Sequence, residues 1–294
     1  MSKVISSLTP DNQSNAGFRA YGLGISTALQ SLLTLVTQTG QINWSTVTAP
    51  SSNSDIRGFE VYRFNDTLQA TAPIFIKVEY GSNTTQRERP VLKMTVGKSV
   101  DGSGNIGDVL LPATEVIQAG NIPNAVPSNC YFGNGDGSCL VISLWPTEGA
   151  FQTNGSYLAL ERSRDVSGAA TGDAVWWQFS GATATDGDIN QSTDYVAGTV
   201  NTLAYGAVPV LYPLTANVSL SNGVSTPVFT GSVITAQRVS WVPTALMCCA
   251  QADLGTGTVA SALVAGIDYL STGAGGQWAD TGRQQYAVAL LRWD

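Results

Sequence analysis

The sequence predicts a mostly-β chain of the α+β class: an N-terminal amphipathic helix packed on an antiparallel β meander, followed by a larger β-sandwich-like unit. Three observations carry this reading. Charged residues make up only 12% of the chain and glycines number 31, against a usual charged share of about 25%; a chain of short strands and tight turns has this composition. Apolar residues recur at helical spacing in one stretch near the N-terminus. Beyond that stretch the apolar period drops to two.

Residues 1–16 are polar and read as an N-terminal arm. Phe18, Tyr21, Ile25, Leu29, Leu32, Leu33 and Val36 then follow at steps of three and four, which is one face of a helix. Ser14 or Asn15 supplies a cap, and Gly40 ends the stretch. In 74–80 the even positions Ile74, Ile76, Val78 and Tyr80 form one side of a half-buried strand. Residues 92–96 alternate in the same way, and 59–64 read as a third strand. The three are expected to form a meander with the helix across its inner face, with Leu29 and Leu32 against Ile76, Val78, Met94 and Val96. That is a domain of residues 17–115.

Pro112, Gly120, Pro123 and Pro127 break the pattern and read as a linker. A β-rich domain of residues 130–294 follows, with strands at 140–145, 157–161, 175–179 and 208–213. Asn222-Gly223 is a two-residue hairpin signal, repeated at Asn134-Gly135 and Asn154-Gly155. The chain closes on a strand at 286–293, expected to pair inside the subunit or with a neighbour.

The chain contains no His, so Ser-His-Asp triads, Cys-His pairs and His metal sites are excluded. Carboxylate-only chemistry, as in glycosidases, survives. Net charge is -7 with a pI near 4.5, so a nucleic-acid role would need a concentrated basic patch. Arg87, Arg89, Lys93 and Lys98, diluted by Glu88, read instead as a solvated loop and strand face. No segment is apolar enough for a membrane span, and Met1-Ser2-Lys3-Val4 opens no secretory signal. Synthesis and folding in a cytoplasm are expected. Free thiols are then the default for all four cysteines. Cys248 and Cys249 are adjacent; Cys130 and Cys139 flank a Gly-rich turn, and a link between them stays open.

Asp101-Gly102-Ser103-Gly104-Asn105 resembles half a calcium loop, but Ile106 stands where Gly is required, so a plain turn is the better reading. Asp186-Gly187-Asp188-Ile189-Asn190 reads the same way. Glu148, Glu161, Asp165 and Asp173 are the candidate carboxylates, yet their spacing selects no pair, and 161–165 reads as a salt-bridged strand end. Trp176-Trp177 suggests sugar stacking, but neighbours on a strand face opposite ways. Asn43 and Asn217 lie in glycosylation triplets that mean little without secretion. The expectation is no catalytic residue, no cofactor and no metal: not an enzyme.

Gly40-Gln41-Ile42-Asn43-Trp44, with Gly58-Phe59-Glu60-Val61-Tyr62-Arg63-Phe64-Asn65-Asp66 and Ala72-Pro73-Ile74-Phe75-Ile76-Lys77-Val78-Glu79-Tyr80-Gly81, resembles virion structural proteins of tailed bacteriophages. The likeness covers the first third of the chain. It implies a virion component and brings no catalytic or binding residues with it. The function expected is a structural subunit, tail-associated in the baseplate, tail tip or collar, acting through a cyclic homo-oligomer. The alternatives are a capsid decoration or cement protein and a receptor- or glycan-binding tail module. Partners are copies of itself and other virion proteins, with no nucleic acid and no membrane. Contacts between copies are expected from residues 1–16, from loops near 81–90 and from 286–294.

Overall fold

A computed structural model describes residues 3–118, 127–135, 137–147, 156–164, 169–180, 208–219, 225–234, 239–240, 245–249, 259–264, 267–271 and 288–294. The protein is mostly β, with one N-terminal helix on antiparallel sheets.

The expected arm is a strand, β1 (Lys3–Leu8), followed by a helix, α1 (Asn15–Leu32). Ser14 caps the helix: its Oγ accepts from the Gly17 N–H at 2.9 Å. The helix stops at Leu32, eight residues before Gly40. Leu33 is extended at φ -122°, although its N–H still donates to the Leu29 carbonyl. The side-chain amides of Asn65 and Asn134 both donate to the Leu32 carbonyl, at 2.7 and 2.6 Å. They satisfy an end that helix propagation would otherwise satisfy. Released from the helix, Thr34, Leu35 and Val36 form a short edge strand, β2 (Thr34–Val36). A run containing two β-branched residues suits a strand better than a last helical turn. Gly40, at φ +80°, serves a turn further on.

One sheet is the meander β2, β3 (Ile56–Arg63), β4 (Phe75–Ser82), β5 (Pro90–Val100) and β6 (Ile106–Gln118), antiparallel throughout. Between β3 and β4 lies a 3-10 turn, Thr67–Ala70. The expected inner face is the observed one. Ile74, Ile76, Val78, Met94 and Val96 are fully buried in one cluster with Leu29 and Leu32. Truncating Ile76 to Ala is therefore expected to cost ~2–5 kcal/mol in a denaturant titration. A loss under about 0.5 kcal/mol, the scale of a surface change, would contradict this packing.

Pro112 does not open a linker at once. It lies inside β6, an edge strand, where the register against β5 slips between Met94 and Val96. Edges and bulges are where a strand tolerates a missing N–H.

The second sheet runs β1, β7 (Ser128–Gly133), β8 (Cys139–Pro146), β9 (Ser156–Arg164) and β10 (Ala170–Ser180). Cys130, Phe132, Leu140, Ile142, Leu144, Leu158 and Leu160 lie in the same cluster as the helix. The core therefore crosses the boundary expected between residues 115 and 130. Residues alternating with these, among them Tyr131, Val141, Tyr157 and Ala159, are also buried. A sheet buried on both faces reads as a near-continuous apolar run, as 140–144 does.

Against that other face lies a third sheet: β11 (Val208–Ser219), β12 (Ser225–Ile234), β14 (Leu246–Cys249), β17 (Val288–Arg292), β16 (Ile267–Ser271) and β15 (Val259–Val264), with β13 (Val239–Ser240) beside β12. Tyr131 packs with Leu270 and Trp293, and its ring meets that of Trp293 edge-on at 5.9 Å. This is the sandwich-like layer. The last strand is not an edge: β17 pairs with β14 on one side and β16 on the other. Strands β11 and β12 pair antiparallel, with Ser219 opposite Ser225 as the last described pair. Asn222-Gly223 and Asn154-Gly155 lie outside the described residues. Asn134-Gly135 does not form a two-residue turn: Gly133 pairs with Val141, which leaves seven residues, 134–140, between the partners.

Candidate functional site

The carboxylates singled out in the sequence are engaged where they are described. Glu161 is buried and accepts from the Ala245 N–H at 3.2 Å. Asp173 pairs with Lys98 at 2.8 Å. Glu148, Asp165 and 186–190 lie outside the described residues. Asp101 turns its carboxylate back on its own hairpin, where the Ser103 and Asn105 N–H groups donate at 2.8 and 2.9 Å. Hydrogen bonds from the Asn105 side chain and these amides lower its pKa. Among the described residues no three His, Cys, Asp or Glu side chains gather as a metal site would need.

The basic cluster is dispersed. Arg87 pairs with its neighbour Glu88 at 3.5 Å, and Arg89 is buried, which lowers its pKa. Lys93 stands in register between Glu79 and Glu115. Trp176 and Trp177 stand opposite Leu160 and Ala159; their side chains lie outside the described residues.

Cys130 and Cys139 are buried and not joined in a disulfide. The register separates them: Cys130 faces Leu144, while Cys139 faces Glu161. Burial pushes the Cys130 thiol up to about 12. It should resist a thiol reagent at pH 8 in the folded chain and react on unfolding, because the thiolate is the nucleophile. Rapid native labelling of Cys130 would contradict this burial.

Two buried polar constellations escaped the sequence reading. Glu60 is nearly inaccessible and receives four neutral donors. The Ser26 hydroxyl and Trp44 indole donate to Oε1 at 2.7 and 3.3 Å, and the Tyr62 and Tyr80 hydroxyls to Oε2 at 2.7 and 2.6 Å. Gly22 makes room for this: a Cβ there would lie 2.1 Å from the Trp44 ring. The second centre is Arg162, which the sequence placed in a local salt-bridged strand end. Its side chain is fully buried and grips Asp66, far away in sequence, through Nε and, at 3.0 Å, Nη2. It also donates to the Ala72 carbonyl at 2.8 Å and stacks over Phe64. In both centres the buried charge itself is fully engaged, so they hold the fold together rather than offer a ligand a place.

The open feature is at β1. This strand ends its sheet, pairing with β7 on one side and with nothing among the described residues on the other. Beside it runs a surface groove of about 480 Å³, lined by Val4 and Ser6 from β1 and by Ala20, Leu23, Gly24 and Thr27 from α1. No charged side chain lines it. Gly24 lets the helix close on β1, since a Cβ there would strike Leu8 at 2.4 Å. Leu23 lines the groove and is 47% exposed, while Ile5, 62% exposed, stands on the opposite face of β1. The sequence had flagged the segment as an arm and missed that it completes a sheet edge. The sequence signal in 3–8 is weak, because Ile5 and Ser6 break the alternation of apolar and polar positions. No protein family, curated protein or solved structure matches the chain.

Proposed function

We propose that this chain is a structural subunit of a tailed-phage particle, associated with the tail, that works through assembly with copies of itself. The observation that carries the assembly reading is the edge of β1, unpaired among the described residues, beside an uncharged apolar groove. Exposed edges template pairing with another chain unless they are blocked. The phage setting rests on the likeness of residues 40–44 and 58–81 to virion proteins. Quantifying the chain in purified particles tests both parts: copies in the tens or fewer support the tail, hundreds support a capsid decoration role, and absence from particles overturns the proposal.

A further inference from the structure

We infer that the occupant of the β1 edge is β1 of a second copy, added antiparallel about a two-fold axis so that the five-stranded sheet continues as ten strands through both subunits. This rests on the assembly reading above and names its partner.

The outer edge of β1 offers a row of backbone N–H and C=O groups, and only another extended strand satisfies such a row in register. Natural edges are guarded by proline, bulges or inward-pointing charge. The segment Lys3-Val4-Ile5-Ser6-Ser7-Leu8 has no proline, and its pairing with β7 runs without a register shift. Its single charge is at the very start and is occupied: Lys3 Nζ donates to the Trp293 carbonyl at 3.1 Å.

Symmetry favours a copy over an unrelated strand. A two-fold axis perpendicular to the sheet keeps its faces, so Val4, Ser6 and Leu8 of both chains fall on the helix side. Centred on Ser6, the pairing sets Val4 opposite Leu8 of the second copy; centred on Ile5, it sets the two Ile5 side chains together. The two grooves then become continuous, and the exposed Leu23 from each helix has an apolar neighbour. Charge agrees as well. Each subunit carries -7 overall, so copies meet best on an uncharged seam. Helix α1 provides one: it has no acidic residue in its first turn and no basic residue in its last. Its Arg19 is turned to the Val47 carbonyl at 2.6 Å.

The full chain should show a concentration-dependent dimer by sedimentation equilibrium. Leu23→Glu and Ile5→Lys, both at exposed positions, should weaken it by about tenfold or more without moving the circular dichroism spectrum. Ser6→Cys or Ile5→Cys should give an intermolecular disulfide on mild oxidation that the parent chain does not form. A chain that stays monomeric at high concentration overturns the inference. So does an oligomer indifferent to Leu23→Glu and Ile5→Lys that neither cysteine variant cross-links. Either failure concerns this edge alone, since membership of the particle is read separately from copy number.

Discussion

Replacing Asp66 with Ala is expected to destabilise the fold by ~3–5 kcal/mol, the scale found when one member of a buried ion pair is removed. The size follows from where Arg162 sits. Its side chain is fully buried, and Asp66 is its one acidic partner among the described residues, in contact with Nε and Nη2. Without that carboxylate the guanidinium keeps its bonds to the Ala72 and Thr171 carbonyls and to Gln69 Oε1, but nothing balances its charge. Arg162→Met should be milder, because an unbranched apolar chain over Phe64 leaves no buried cation. Asp66→Ala with Arg162→Met should then be more stable than Asp66→Ala alone. Chemical denaturation of the three variants closes the cycle. A double variant no better than Asp66→Ala would mean that the loss comes from the 3-10 turn and not from a stranded charge.

The meander was legible because its strands are one-sided. Ile74, Ile76, Val78 and Tyr80 alternate with exposed or half-buried neighbours, and Met94 and Val96 repeat the pattern. The helix was legible for the same reason, but its end was not. Leu33 and Val36 keep helical spacing, while the groups that stop the helix, Asn65 and Asn134, come from distant parts of the chain. Periodicity carries no information about such partners. Pro112 misled in the opposite direction: a proline breaks a central strand yet is tolerated at a bulged edge, and edge position is a property of the sheet, not of the segment. The buried charges were hidden more deeply. Glu60 and Arg162 each stand in a polar or mixed stretch that reads as surface, and only the fold brings Ser26, Trp44 and Tyr80 around one and Asp66 against the other. Nor does a short segment such as 3–8, where the Val4-Ile5 and Ser6-Ser7 pairs break any alternation, say which strand it will join. Here it joins β7, some 120 residues on, and so leaves one edge unpaired among the described residues.

The cluster around Glu60 should show itself in alkali. Tyr62 and Tyr80 are pushed well above the ordinary tyrosine value of 10.0, mainly by burial and further by the charged neighbours around them, the Glu60 carboxylate that each hydroxyl faces included. In the unfolded chain both ionise near that ordinary value. Their contribution to stability is therefore fully present below pH 10 and is lost as pH rises above it, while the native hydroxyls keep their protons. Each such group steepens the decline by ~1.4 kcal/mol per pH unit. Tyr62→Phe with Tyr80→Phe should remove both contributions and flatten the alkaline limb accordingly. Cys130, Tyr21 and Tyr269, also shifted upward by burial, leave a residual slope. Below pH 10 the same change has a cost, because two donors are taken from a buried carboxylate at ~1–3 kcal/mol each. The variant should thus start less stable at neutral pH and lose stability more slowly towards pH 11. Stability curves that fall in parallel for the parent and variant between pH 10 and 11 would show that these hydroxyls already ionise in the native state.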